Sequence, residues 1–224
     1  MNMKTFILAV SITALASGCS SGSGGEDAAR SAVGGEHAGR YHIKSGTLTY
    51  EANLPQDMGT NKRVVYFDDY GQKEKMVTIT SISMMGQNID KETHLITQDG
   101  FSYTWSPSET SGMKVAVDDT FDPAAADFSK LTEEAMAKYG LTKEGDETID
   151  GRKCDVWAMD NQGVQGKVWI WNNIPVKTSA NMMGFSIIEK LVSLDEGDVD
   201  QAHFVLPDLT WKDMTYQSVP GMGQ

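Results

Sequence analysis

The chain has 224 residues, of which 40% are hydrophobic and 22% charged, and a formal net charge of −12. With 31 acidic against 19 basic residues, it repels nucleic acid and anionic headgroups. That argues against nucleic-acid binding, and any membrane association must come from something other than a basic patch.

Residues 1–18 read as an export signal. A single Lys4 precedes an apolar run from Phe6 to Ala16, too short to span a bilayer as a retained helix, and Ala16-Ser17-Gly18 supplies the small residues that signal peptidases accept. Because Cys19 follows directly, the segment resembles a lipobox and predicts cleavage before Cys19, with lipid carried on that cysteine. Residues 19–39 continue as a Gly-, Ser- and Ala-rich tether without apolar periodicity, reaching about 25 Å on average by random-coil scaling.

From residue 40 to 224 the spacing predicts one domain dominated by strands. Tyr41 to Ala52, Lys62 to Asp68 and Lys73 to Ile82 alternate between apolar and polar residues. Asp68-Asp69-Tyr70-Gly71 reads as a turn. Asp99-Gly100, between THLITQ and FSYTW, and Asp150-Gly151, between ETI and RKCDVW, predict tight hairpins, because such turns need positive φ. Lys167 to Trp171, Ile187 to Leu194 and His203 to Leu206 complete the predicted strands of an antiparallel meander.

One segment has helical character. Asp122 suits the N-cap, Pro123 the first helical position and Gly140 the residue beyond the end, while Phe128, Leu131, Ala135 and Tyr139 share a face. An amphipathic helix from Asp122 to Tyr139 packed on the sheet makes the class α+β. With Cys19 lipidated, Cys154 has no disulfide partner. Alternation puts it on a small apolar face with Val156 and Ala158, so a buried thiol is expected. The acidic run Asp195 to Asp200 lacks calcium-loop spacing and reads as a solvated turn.

The layout resembles the lipoprotein-carrier (LolA/LolB-like) superfamily. The similar elements are Lys44 to Ala52, Tyr66-Phe67-Asp68-Asp69-Tyr70-Gly71, Ile149-Asp150-Gly151, Gly166 to Ile170 and His203 to Pro207. The resemblance implies an antiparallel sheet curled into an unclosed half-barrel, helices across its open side, and a hydrophobic cavity that binds acyl chains without chemistry. Cys19 followed by Ser20 is similar to the lipidated outer-membrane acceptor of that family.

Candidate cavity residues are Met84, Met85, Met182 and Met183, whose flexible thioethers suit varied acyl shapes, and the same-face aromatic groups Phe101, Tyr103, Trp105 and Trp169, Trp171. An ordinary packed core is the competing reading for all of them. Methionine also suggests Cu(I), with His42, His94 and His203 as further donors, yet no MxM or MxxM cluster occurs. Gly-x-Ser-x-Gly, His-Glu-x-x-His, Cys-x-x-Cys and phosphate-loop motifs are absent, so no catalytic residue or cofactor is expected. The expected protein is an outer-membrane lipoprotein, facing the periplasm or the cell surface, that binds a lipid or lipoprotein acyl chain. A non-enzymatic partner-binding or sensor role and copper binding are the alternatives.

Overall fold

The structure, a computed structural model, describes residues 39–55, 58–84, 87–116, 127–131, 133–161, 164–182 and 185–214. Among them are twelve strands: β1 (Gly46–Asn53), β2 (Gly59–Asp68), β3 (Lys73–Met84), β4 (Gln87–Gln98), β5 (Phe101–Trp105), β6 (Ser111–Ala116), β7 (Leu141–Ile149), β8 (Arg152–Asn161), β9 (Val164–Trp171), β10 (Ile174–Met182), β11 (Phe185–Glu196) and β12 (Thr210–Asp213). They form one sheet in the order β12-β6-β5-β4-β3-β2-β1-β11-β10-β9-β8-β7. Every neighbouring pair is antiparallel except β12 with β6. The pairing of β1 with β11 joins the two halves, and among the described residues β12 and β7 are the two edges, so the sheet is open.

The turns follow from backbone chemistry. Asp99 and Gly100 sit at φ 53° and 75°, and Asp150 and Gly151 at 49° and 78°, as expected for hairpins of this type. A third such hairpin joins β9 to β10 through Asn172 and Asn173, at φ 49° and 59°. Asparagine tolerates this region because its short side chain adds little steric cost. At Asp68–Gly71 the expected turn is a 3-10 turn with Asp69, Tyr70 and Gly71 all at positive φ.

Alternation then sorts the side chains onto two faces. Leu48, Val65, Met76 and Leu95 lie opposite one another across β1 to β4 and join Tyr50, Phe67, Leu191, Ile174, Val176, Val156, Cys154 and Trp169 in the larger core cluster. We call this the inner face. Tyr41, ahead of β1, inserts into the same cluster and meets the Phe67 ring edge-on at 4.8 Å. Cys154 is fully buried and its thiol donates to the Arg152 carbonyl at 3.4 Å. Burial pushes that thiol's pKa up, which makes it a packing residue rather than a nucleophile.

The helical segment differs from the expectation. Asp122 and Pro123 lie outside the described residues. The described part is a 3-10 turn, Phe128–Lys130, followed by a seven-residue helix α1 (Glu133–Tyr139). Two local choices divide it: Asp127 caps the 3-10 turn through Ser129 N–H, and Leu131 is extended at φ −66°, ψ 123°. Asn173 fastens the start by accepting from Phe128 N–H and donating to Asp127 and to the Arg40 carbonyl. Phe128, Leu131, Met136 and Tyr139 pack with Leu141, Trp157, Val168 and Ile170. Those strand residues alternate with Val156 and Trp169, so α1 covers the face of β8–β9 opposite the larger core.

His203 to Leu206, expected as a strand, instead begins with a 3-10 turn, Gln201–Phe204, capped by Asp200. It belongs to a strap that carries the chain from β11 to β12. Gln201 bonds Asp68 and Lys73, and His203 stacks on Tyr66 with ring centroids 3.8 Å apart. Burial, aided by Lys75, holds the His203 imidazole below its ordinary pKa against an opposing pull from Asp200. A folded-state value below the unfolded one means that the stabilisation is complete above pH about 6.5 and is lost on acidification through the lower folded value. Asp68, held down by its bonds from Gln201 and Asp69 N–H, releases the same strap only below the usual carboxylate range. Protection factors at 201–205, corrected for the intrinsic pH dependence of amide exchange, are therefore expected to fall as pH drops below about 6.5, with His203→Phe losing that acid dependence. An unchanged profile in the variant would refute the assignment.

Candidate functional site

The inner face is not uniformly apolar. Beyond Tyr50, on the same face and towards the hairpin joining β3 to β4, stands Arg63, which donates from Nε to Glu189 Oε1 at 3.0 Å and from Nη2 to Oε2 at 2.5 Å. Its guanidinium lies 4.0 Å over the Tyr50 ring, and the residue is only 6% exposed. A second pair sits near the other end, where Arg40 donates to Glu74 at 2.7 and 2.6 Å and to the Tyr41 hydroxyl at 2.6 Å. Burial alone would lower both guanidinium pKa values, but Glu74 and Glu189 outweigh it and hold them above the ordinary arginine value. Burial likewise pushes the phenols of Tyr41 and Tyr50 up, so both remain neutral hydrogen-bonding groups.

Past Arg63 the inner face opens. Ala52, Asn61 and Ile187 are buried there, Ile82 is half-buried, and its cross-strand partner Ile89 is 54% exposed. Phe185, at the start of β11, and Met58, just before β2, are each 41% exposed on either side of β1. Among the described residues nothing donates to the buried side-chain oxygen of Asn61, which is a costly arrangement unless something else does. On the outer face, Glu51, Asn53, Ile188, Lys190 and Val192, with Ala52 between the first two, line a shallow groove of about 330 Å³.

The residues proposed from sequence divide among different places. Trp169 is in the inner core, its indole N–H donating to Glu147 at 2.5 Å and its ring covered by the Lys177 ammonium at 4.0 Å, with Trp171 packed against the same cluster. Tyr103 and Trp105 pair with Ile96 and His94, which alternate with the inner-face Leu95; these rings, with Phe101 on the same side of β5, occupy the outer face. There Trp211 meets Tyr103 and Trp105 edge-on at 5.1 and 6.0 Å. Strands β5 and β9 are seven positions apart in the sheet, so the two aromatic groups do not wall one cavity. Alternation showed which aromatics share a strand face; it carries no information on which faces meet.

Met85 and Met183 lie outside the described residues. Met84 and Met182 end β3 and β10 at the same end of the sheet but four strand spacings apart, about 19 Å along it at the usual spacing. Among the described residues, no group of three or more His, Cys, Asp or Glu could hold a metal ion. Arg63, Glu189 and Asn61 escaped the sequence reading. The signal for Arg63 and Asn61 was phase, because Val65 and Phe67 at two-residue spacing put both on the buried face.

No protein-family model matches the sequence, and no curated protein does. Solved structures do resemble the chain. PNGF-II is 12% identical with a TM-score of 0.45, covering 76% of this chain and 32% of its own. Lipoprotein LppX of Mycobacterium tuberculosis is 10% identical with a TM-score of 0.35, covering 70% and 90%. A LolA superfamily protein of Nitrosomonas europaea is 10% identical with a TM-score of 0.32, covering 75% and 92%. The chain therefore spans about a third of PNGF-II and most of the other two. At these identities and TM-scores the likenesses bring no role, ligand or partner to this chain.

Proposed function

We propose that the chain is an exported lipoprotein, processed before Cys19 and held by its lipid at the outer membrane. Its domain from residue 40 onward binds an acyl chain of a lipid or lipoprotein, without covalent chemistry, on the open part of an unclosed half-barrel. The observation that carries this reading is the change along the inner face. It is filled as far as Tyr50 and Arg63, and open beyond them, where Ile82 and Ile89 offer apolar surface beside the unpartnered Asn61 oxygen. An acyl chain can lie on the isoleucines while an amide N–H of an acylated ligand donates to Asn61. Met84 and Met182 end the strands that border this surface.

The test is to purify the mature protein under non-denaturing conditions, extract its lipids, and titrate it with a fluorescent fatty acid. Acyl lipid should co-purify, and Ile82→Glu should weaken uptake about tenfold, as expected for losing one buried aliphatic contact. A domain that is empty and takes up no fatty acid would overturn the reading and favour the partner-binding role instead.

A further inference from the structure

Beyond Arg63, the inner face of β1 to β4 and β11 presents two charged side chains among the described residues. Arg63 holds one of them, Glu189, and Lys91 is the other. Register fixes where Lys91 stands. Ala52 pairs with Asn61, Asn61 with Thr80 and Thr80 with Lys91, so these four form one row across β1, β2, β3 and β4. Ile82 and Ile89 pair in the next row towards the sheet end, about 7 Å further along the strands. Lys91 therefore shares a face with Ile89, with its backbone about 5 Å from that of Thr80 and about 10 Å from that of Asn61.

The Lys91 ammonium is not neutralised by its surroundings. Among the described residues no carboxylate forms an ion pair with it, in a chain that holds 31 acidic residues. Its sequence neighbours Asp90 and Glu92 alternate to the outer face, opposite Ser81 and Ile79, and Glu92 pairs there with His94. Lys91 is exposed, so its aliphatic stem runs beside Ile89 while the charge stays in water.

We propose that Lys91, with the Thr80 hydroxyl beside it, is the head-group subsite of the acyl surface and selects amphiphiles whose head is an anion, a carboxylate or a phosphate. This deepens the acyl-binding reading above and rests on it. An acyl chain lying on Ile82 and Ile89 brings its head to the row behind them, where an ammonium and a hydroxyl both donate. A neutral head gains no charge-assisted bond there. With a net charge of −12 the protein as a whole repels anions, so this cation beside an apolar surface sets the direction of the ligand: head towards Thr80, tail towards the sheet end. The buried Asn61 oxygen, at the inward side of the same row, accepts, and so bears on the N–H or O–H groups of the head and not on its charge.

The experiment uses the mature chain, residues 19–224, carrying Cys19→Ser so that its own lipid does not compete. Equilibrium dialysis measures its binding of decanoate, decyl phosphate and decanol, which share a chain length and differ in head. We expect the anions to bind about threefold to tenfold more tightly than decanol, with the preference shrinking at high salt. Lys91→Gln should bring the anions to the level of decanol and leave decanol itself unchanged, whereas Lys91→Arg keeps the preference. The tighter of the two anions distinguishes a carboxylate source, such as a free fatty acid, from a phosphate source, such as a phospholipid. Decanol that binds as tightly as both anions, or a preference that survives Lys91→Gln, overturns the subsite and leaves the acyl surface standing. If none of the three binds, the acyl reading fails and the subsite fails with it.

Discussion

Arg63→Ala is expected to lower the free energy of unfolding by about 3–5 kcal/mol, because it strands the Glu189 carboxylate inside the sheet without its partner. The side chains are 7% and 13% exposed, so solvent screens the pair little. The loss includes the cover that the guanidinium gives the Tyr50 ring. Glu189→Gln should cost a comparable amount by leaving the arginine charge uncompensated. Replacing both together, Arg63→Met with Glu189→Leu, should recover most of the loss, since a well-packed apolar pair can equal a buried ion pair. Urea unfolding of the four proteins checks this. A single variant that costs less than about 1 kcal/mol would place the pair in the class of solvent-screened contacts, against its burial. By contrast Lys153–Asp146, on the surface of β7–β8, shows how the same chemistry is used for solubility at an edge.

Much of the sheet was legible because hairpin chemistry is local. Asp-Gly needs no tertiary information to favour a tight turn, and both examples formed. Asn172-Asn173 makes the same backbone shape, but an Asn-Asn pair is a weaker signal, and β10, which follows it, was not among the predicted strands. Next to Pro175 the pairing of β10 with β9 shifts register, as a strand with an internal proline requires. His203-Phe204-Val205-Leu206 was read as a strand from its apolar content. Asp200 capping Ala202 N–H and the Tyr66 stack, both decided outside that run, turn it into the strap.

The helix shows the same limit from the other side. Its apolar residues Phe128, Leu131 and Tyr139 do meet one cluster, so periodicity found the packing face. It did not find that Asp127 and Asn173 would interrupt the helix, because that contact joins residues 46 apart in sequence. The candidate site was less legible still. A strand pattern reports that a residue faces the core or solvent, whereas a site depends on which buried faces are filled. Arg63, Glu189 and Asn61 become notable only when β2 and β11 are brought together on either side of β1.

Trp169 turns that difference into a measurement. As the wall of an empty cavity, its truncation would change ligand uptake and leave stability nearly intact. As a member of the core beside Val156 and Ile174, 6% exposed, it should cost about 3–5 kcal/mol as Trp169→Ala. The indole also donates to Glu147 and supports the Lys177 ammonium, so the void would be accompanied by two polar groups that lose their partner. Trp171, half-buried at the margin of the same cluster, should lose less when truncated, because its site is already partly open to water. A ranking of Trp169→Ala well above Trp171→Ala in denaturant unfolding would fix Trp169 as a structural residue. A stable Trp169→Ala protein that binds fatty acid differently would reopen the inner face of β8 and β9 as the ligand surface, and would move the acyl site away from Ile82 and Ile89.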